Sequence, residues 1–389
     1  MKRLLTFFLI CFSFVEYTRA EDIIDYKYWD EGKLTWDDFQ DTLSLKGVPS
    51  AFNAFLRIEK TEKRDGNPRT IRPEAQACFD KRHSFADRQI QNENLLRLFQ
   101  LKYDLLEMYR RRLQTELNLG VVGIAADNRT RQYMDLYTEQ SKKAEQETEN
   151  GQNEIKLQEW EFYVTKELIE NPAPSIPRIS PRRFGYGFYL GTGASFPVGS
   201  IADYWDPAWQ INVGFDLAYA NTHLLCDFSA GTARTRQEII VSNGQITDKW
   251  LRNGHNTYTS ISLGIGQQLI STKYFALMPY VGCIWSGYSD QAKIQEGRNE
   301  RTTLSYTNFN WTAGICFDYR FSTTISLVPS FWRGHREIFT ASIRTKLFIN
   351  REQFHNFKIA PDDNGSMLRG CKLGFSVACL GFSRLLQIK

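Results

Sequence analysis

Residues able to bind a metal or attack a substrate are few in this sequence, and their spacing scatters them. The five histidines, His83, His223, His255, His335 and His355, include no pair one helical turn apart, as a zinc site on a helix requires. Each reads as a surface or interface histidine rather than a ligand. Six cysteines lie beyond the first apolar run: Cys78, Cys226, Cys283, Cys316, Cys371 and Cys379. None forms a C-x-x-C or other metal-like spacing, and no disulfide framework is expected. A lipid hydrolase needs a nucleophile beside a histidine; His223 and Ser229 can be imagined together, but no motif supports the pairing. Gly120-Val121-Val122-Gly123 is too sparse for a phosphate loop, and the N-x-S/T triplets at Asn128, Asn310 and Asn364 carry no weight. No residue is assigned a catalytic, cofactor-binding or metal-binding role, and no cofactor is expected.

The charges that do form a pattern are Asp216, Asp227, Asp318, Arg320, Arg344 and Lys346. They stand on the polar face of segments that alternate strictly between apolar and small or polar residues, the period of a strand with one face on each side. Phe184, Tyr186, Phe188, Leu190 and Ala194 share one face, against Gly185, Gly187, Gly191, Gly193 and Ser195. Trp209, Ile211, Val213, Phe215, Leu217 and Tyr219 alternate with Gln210, Asn212, Gly214, Asp216 and Ala218. Phe309, Trp311, Ala313, Ile315, Phe317 and Tyr319 repeat the pattern against Asn310, Thr312, Gly314, Cys316, Asp318 and Arg320. Further segments lie near 223–233, 257–269, 274–286, 324–332, 338–350 and 368–383, nine in all. Runs of about 10–13 residues match a tilted membrane strand better than soluble strands of about 5–6. Aromatic residues end the apolar faces, as interface girdles do. Short links at 220–222, 271–273 and 321–323 contrast with long polar ones at 234–256 and 287–307. These features predict an antiparallel membrane β-barrel of about 8–10 strands over 183–389, apolar outside, with the six charges pairing inside a lumen too narrow to conduct. A water-filled pore would need about 16 strands.

The barrel needs an export route and a connection. Lys2 and Arg3, an apolar run from Leu4 to Val15 and Thr18-Arg19-Ala20 read as a signal peptide over residues 1–20. No later stretch is long and apolar enough for a membrane helix. A net charge of +4 with 24% charged residues is too balanced to argue for nucleic acid. Aromatic residues make up 14% of the chain and bunch in its second half. Residues 21–120 read as an α+β domain with a strong helix from about Arg88 to Leu117, its apolar positions including Leu95, Phe99, Leu106, Tyr109 and Leu113. Residues 121–172 read as a helical spacer or hairpin, divided or kinked at Asn150-Gly151, and 173–182 as a Pro-rich linker.

The stretch Leu95-Leu96, Tyr103-Asp104-Leu105-Leu106-Glu107, Tyr109, Arg111 and Leu113 resembles the helix of a bacterial domain of unknown function, DUF922, regarded as a zinc peptidase. Trp36, Asp38 and Phe39 resemble that family's L-x-W-x-D-F element, and Ser84-Phe85-Ala86 a second, weaker one; the resemblance covers about residues 29–117. It implies a peptidase scaffold without its chemistry. Where the family has His-Glu-Gln-x-His, this chain has Leu98, Phe99, Gln100, Leu101 and Lys102. Leu98 and Phe99 cannot ligate zinc or take a proton, and the Lys102 ammonium would repel the metal. The second half resembles small outer-membrane barrels of Bacteroidetes.

The leading expectation is a non-enzymatic protein of the bacterial outer membrane. Its barrel sits in lipid and holds a periplasmic, peptidase-like domain that binds another envelope protein, a glycan or peptidoglycan, with no nucleic-acid partner. The alternatives are a narrow porin or transporter, suggested by the charged inner face, and an outer-membrane hydrolase acting on lipid or peptide.

Overall fold

The structure is a computed structural model that describes residues 25–41, 49–64, 67–242, 247–293, 301–328, 336–360 and 363–388. The signal-peptide reading therefore lies outside the described residues. The chain divides into two compact units, one of residues 1–60 and 73–177, the other of residues 61–72 and 178–389.

In the first unit β1 (Tyr26–Tyr28), β2 (Ser50–Ala51), β3 (Ala54–Lys63), β4 (Arg69–Asp80) and β5 (Phe85–Ala86) precede three helices, the end of β3 and the start of β4 belonging to the second unit. These are α1 (Glu93–Leu119), α2 (Ile124–Glu147) and α3 (Glu154–Glu170). The Asn92 side chain caps α1 by accepting from the Leu95 amide at 2.8 Å, and Gly120, at φ 122°, ends it. Sequence periodicity shows one apolar stripe on α1, but the helix is apolar around most of its circumference. Leu98, Leu101, Leu105, Met108 and Leu117 are buried as well. Such a helix must be covered on more than one side. Phe79 and Ala77 of β4, with Leu56 of β3, lie in the same core as Tyr137 and Ala144 of α2 and Leu157, Trp160 and Val164 of α3. Residues 124–170 are thus part of the first unit's core and not a separate spacer, a correction to the 121–172 boundary. Asn150 and Gly151, both at positive φ, separate α2 from α3.

The residues that carry the peptidase resemblance have structural partners. Phe99 stacks among Phe39 at 5.2 Å, Phe52 at 5.5 Å and Trp36 at 6.3 Å between ring centroids. Leu98 is buried beside them in sequence, and Lys102 pairs with Glu145 at 2.5 Å with its ammonium 4.7 Å from the Phe52 centroid. Asp38 accepts from the Thr35 amide at 2.9 Å and meets the Lys27 ammonium at 2.6 Å. Burial opposes its ionisation, but Lys27 and the Thr35 donors outweigh burial and hold its carboxyl below the usual range. Asp104 behaves oppositely. Burial raises its carboxyl pKa, and the hydrogen bonds from Trp29 Nε1 (2.8 Å) and Gln100 Nε2 (2.7 Å) only partly offset this.

The two carboxylates therefore act on stability with opposite signs. Asp38 stabilises above its unfolded pKa of about 3.9, and that is lost as pH falls through its depressed folded value. The Asp104 contribution is complete below about pH 3.9 and is lost as pH rises through its raised folded value. Asp104→Asn is expected to flatten the decline of α1 protection between pH 4 and 7, read by hydrogen exchange corrected for intrinsic rate. An unchanged slope would remove Asp104 as its source.

In the second unit eight long antiparallel strands form a ring. They are β6 (Ile179–Gly199), β7 (Ala208–Tyr219), β8 (Thr222–Arg234), β11 (His255–Gln267), β13 (Phe275–Lys293), β14 (Arg301–Ser326), β15 (Glu337–Phe357) and β16 (Ser366–Ile388). Each pairs with the next in that order, and β16 closes on β6 through Cys379↔Leu190 and its neighbours. Closure leaves no strand edge to lipid within the ring, the condition for a sheet to cross a membrane. Between β8 and β11 a small hairpin, β9 (Ile239–Ser242) with β10 (Thr247–Trp250), folds in the longest link, and the short β12 (Ile270–Ser271) pairs with β13.

The outward faces are those the alternation predicts. Trp209, Ile211, Phe215, Leu217 and Tyr219 of β7 are all exposed, as are Phe309, Trp311, Ile315, Phe317 and Tyr319 of β14. Trp209 and Tyr219, Trp285 and Phe275, and Phe309 and Tyr319 bracket three strands at the same ten-residue separation. Across strands Trp285 pairs with Phe309, and Phe275 with Tyr319, so each aromatic set runs around the wall. Ten residues rise ~33 Å, or ~25 Å at a tilt near 40°, the height of an outer-membrane barrel's apolar band. Cys226, Cys283 and Cys379 are exposed on this wall, and none of the described cysteines forms a disulfide.

Nine segments were expected and eight strands form. The described part of the 324–332 segment, 324–328, is not an independent strand, because β14 runs unbroken through Phe321-Ser322-Thr323 to Ser326. Small polar residues suit a tight turn and a bulge equally, and here they make a bulge, with the register to β15 slipping between Arg320 and Ser322. The polar stretch 287–307 is likewise not all loop, since β13 and β14 stay paired to Lys293↔Arg301. An even strand count brings both ends of the barrel chain to the side of the links at 220–222 and 271–273, here the turn side.

On that side β14 outruns β13, whose ladder begins at Phe275↔Tyr319. Arg69–Ile71 of the 61–72 hairpin tip pair in parallel with Thr324–Ser326 on the overhang, and the Asn67 side chain accepts from the Thr323 amide at 2.9 Å. The tip covers backbone donors that the shorter neighbour leaves open.

Candidate functional site in the barrel lumen

Inward-facing side chains fill the lumen in levels. Nearest the turn side, Arg344 donates to Asp318 through Nε (2.7 Å) and Nη2 (2.9 Å) and to Asp216 through Nη2 (2.7 Å). His223 Nδ1 meets the other Asp216 oxygen at 2.7 Å. One guanidinium thus bridges two carboxylates from opposite parts of the wall, with fork geometry suited to carboxylate oxygens. One level further in, the Lys346 ammonium meets Asp227 at 2.5 Å, and Asp227 also accepts from the Tyr189 hydroxyl and from Ser262 Oγ at 3.0 Å. The rings of Tyr189 and Tyr280 cross the lumen where Gly214 and Gly314 stand on the wall. A Cβ at Gly214 would lie 2.2 Å from the Tyr189 ring, and one at Gly314 would lie 2.7 Å from that of Tyr280.

Next come Gln210, Asn212, Ser229, Ser260, Thr312, Asn350 and Ser376, around a void of about 30 Å³, room for about one water. Towards the long-link side Lys372 and Glu352, both fully buried, meet at 2.9 Å. The Lys372 ammonium lies 3.5 Å from the Tyr258 ring centroid and 4.3 Å from that of Tyr288. Trp205 stacks on Tyr288 at 4.3 Å, and Phe354 and Phe357 complete an apolar cap. Ion pairs, a polar layer and stacked rings occupy the lumen at these levels.

Five of the six charges singled out in the sequence meet here: Asp216, Asp318 and Arg344 in one group, Asp227 and Lys346 in another. Arg320 does not join them. It lies at the turn-side mouth, where its Nη1 donates to Ser271 Oγ (3.1 Å) and to the Thr272 carbonyl (2.7 Å). The Glu352–Lys372 pair was missed, although each residue continues the inward parity of its strand. The sequence reading ended one strand at 350, two residues before Glu352. His223, read as a surface residue at a turn, is buried inside the barrel, because it is the second residue of β8 and faces inward. It is not a hydrolase histidine paired with Ser229, whose hydroxyl donates to Asn212 at 2.6 Å. Of the other histidines, His335 lies outside the described residues, and His83 pairs with Asp80 at 2.8 Å. Among the described residues no three His, Cys, Asp or Glu side chains are grouped to hold a metal ion.

No protein-family model matches the chain, and no curated protein does. Among solved structures, Ail of Yersinia pestis in complex with the heparin analogue sucrose octasulfate is 13% identical. It covers 52% of this chain and 99% of its own, with a TM-score of 0.27. The outer membrane protease OmpT of Escherichia coli is 8% identical over 54% of this chain and 98% of its own, with a TM-score of 0.23. A major outer membrane protein of Thermus thermophilus is 11% identical over 51% and 98%, with a TM-score of 0.23. Likeness at these scores carries no argument about activity or ligand. The resemblances to DUF922 and to Bacteroidetes barrels gain no support from any match. The barrel stands on its own strand pairing: closed, even-stranded and apolar outside, the second unit is an outer-membrane β-barrel.

Proposed function

We propose that the protein is a non-conducting anchor of the bacterial outer membrane that holds its first unit in the periplasm for binding or assembly. The filled lumen is the observation that carries this reading. Five buried ion contacts (Arg344 to Asp216 and Asp318, His223 to Asp216, Lys346 to Asp227, Lys372 to Glu352) and the Trp205–Tyr288 stack occupy the path an ion would take. Moving such groups aside would leave buried charges without partners. Connectivity supports the periplasmic assignment. Short turns face the periplasm in barrels of this kind, and the chain enters β6 from the turn side.

The first unit, in this reading, is a binding scaffold that performs no catalysis. Where a zinc peptidase needs its ligands, Leu98 and Phe99 lie in an apolar core and Lys102 in an ion pair. Its partner would be another envelope protein or peptidoglycan.

Reconstitution in planar bilayers tests the anchor. Purified full-length protein is expected to give no stepwise conductance in 1 M potassium chloride, while migrating as a heat-modifiable barrel in detergent. Reproducible conductance steps from that folded band would replace the anchor by a narrow porin.

A further inference from the structure

The turn-side mouth of the barrel holds a cavity of about 420 Å³, within the range of about 300–1,000 Å³ typical of small-molecule sites. Its walls are unusually cationic. Lys273, Arg320, Arg344 and Arg384 all line it, against the single lining carboxylate of Asp318. Arg384 is held by the Arg183 carbonyl at 3.1 Å and the Ala220 carbonyl at 2.5 Å, and Arg320 by Ser271 and Thr272. Neither forms an ion pair with a carboxylate among the described residues. Their guanidiniums are oriented by neutral acceptors, with Asp318 near Arg320 and Asp216 near Arg384 acting on them at longer range than an ion pair.

Two further groups are buried and unpartnered at this cavity. Arg344, 2% exposed, uses Nε and Nη2 on the two aspartates, and its Nη1 has no hydrogen-bond partner among the described residues. His223, 4% exposed, uses Nδ1 on Asp216, and its Nε2 has none. Both nitrogens are themselves buried, so they mark unmet polar capacity behind the cavity wall and not contact points within it. The Asn67–Pro68 tip covers one side of the cavity, and Leu380 and Phe382 supply apolar wall.

We propose that this mouth is a binding site for a small oxyanion, a carboxylate or phosphate, received by Arg320 and Arg384, with Lys273 at the rim and Arg344 in the wall. Guanidinium forks match both anions, and the apolar wall leaves room for a short organic group attached to either. This is independent of the anchor reading, since a plugged barrel can bind or not bind an anion at its mouth.

The test is isothermal titration of the full-length protein in zwitterionic detergent with sodium phosphate and, separately, sodium succinate. Sodium chloride is matched for ionic strength throughout. At least one of the two anions is expected to bind at one site, and Lys273→Gln with Arg320→Gln to weaken it at least tenfold while the barrel stays heat-modifiable. Phosphate alone, or succinate alone, would assign the site to that anion. Arg252→Gln with Arg351→Gln, exposed cations elsewhere on the barrel, is expected to leave binding within twofold. Heat no greater than chloride gives, an unchanged affinity in the mouth variant, or an equal loss in the control variant would each overturn the proposal.

Discussion

Replacing Arg344 by methionine is expected to destabilise the barrel by ~3–5 kcal/mol, the usual effect of removing one partner from a buried ion group. The geometry puts this substitution at the upper end. Arg344 is the shared partner of Asp216 and Asp318, so its loss leaves two carboxylates in the lumen, with His223 the one remaining hydrogen-bonded partner of Asp216 among the described residues. The comparison that isolates the charge is the triple variant Asp216→Asn, Asp318→Asn, Arg344→Met, which removes all three formal charges. It is expected to recover much of the lost stability, because a neutral layer of similar volume carries no orphan ion. The readout is the urea midpoint of the heat-modifiable band, compared among wild type, single and triple variants. A triple variant no more stable than the single would show that Arg344 acts through its packing under Tyr189, whose ring centroid lies 5.2 Å from the guanidinium carbon.

The second large effect is expected at the other end of the lumen. Lys372→Met removes an ammonium that is fully buried, in ion contact with Glu352 and seated on two tyrosine rings. Glu352 keeps a hydrogen bond from Ser286 Oγ at 3.1 Å to one oxygen, while its other oxygen has no partner among the described residues. A loss of ~3–5 kcal/mol is again expected for the single substitution, and a smaller one when Glu352→Gln accompanies it. Because this pair sits beneath the Trp205–Tyr288 stack, the lost protection should concentrate there. Hydrogen exchange would show faster opening of β11, β13 and β15 near Tyr258, Tyr288 and Glu352, with the amides around Arg344 unchanged. Uniform loss along the strands would mean that the two ends of the lumen unfold as one.

The two ion groups differ in how far they could be read in the sequence, and the difference is physical. Outward residues of a membrane strand must be apolar and inward ones need not be, so alternation alone revealed β7 and the middle of β14. It also marked Asp216, Asp318 and Arg344 as inward. Which charges meet depends on register and on distance across the lumen. Asp318 and Arg344 are cross-strand neighbours, whereas Asp216 reaches Arg344 from 128 positions away in sequence. Strand ends were harder. Glu352 lies where β15 rises beyond the apolar band, and there nothing demands an apolar outward residue. The bulge at Phe321-Ser322-Thr323 has the composition of a turn, and only pairing with β15 distinguishes the two. On α1, one apolar stripe was read and the wider burial was not, because the helices that cover the remaining faces, α2 and α3, read as a spacer. The lumen levels were legible as parity, and the mouth cavity was not, because its walls come from hairpin tip, turns and strand ends together.

The pairing of the hairpin tip with the β14 overhang has a consequence for the order of assembly. Asn67 and Thr323 meet across a separation of 256 residues, while each barrel strand except the closing pair joins a near neighbour in the chain. Joining so distant a segment to an unfolded wall would carry the loop-closure entropy of the whole intervening chain, a cost that falls once the wall between them is folded, so the contact forms late. The tip cannot dock before β14 exists as an overhang, which requires that β13 and β15 have already fixed its register. Three ladder positions hold it. It is therefore a latch set after the wall is built, and the segment whose release would leave the ring itself intact.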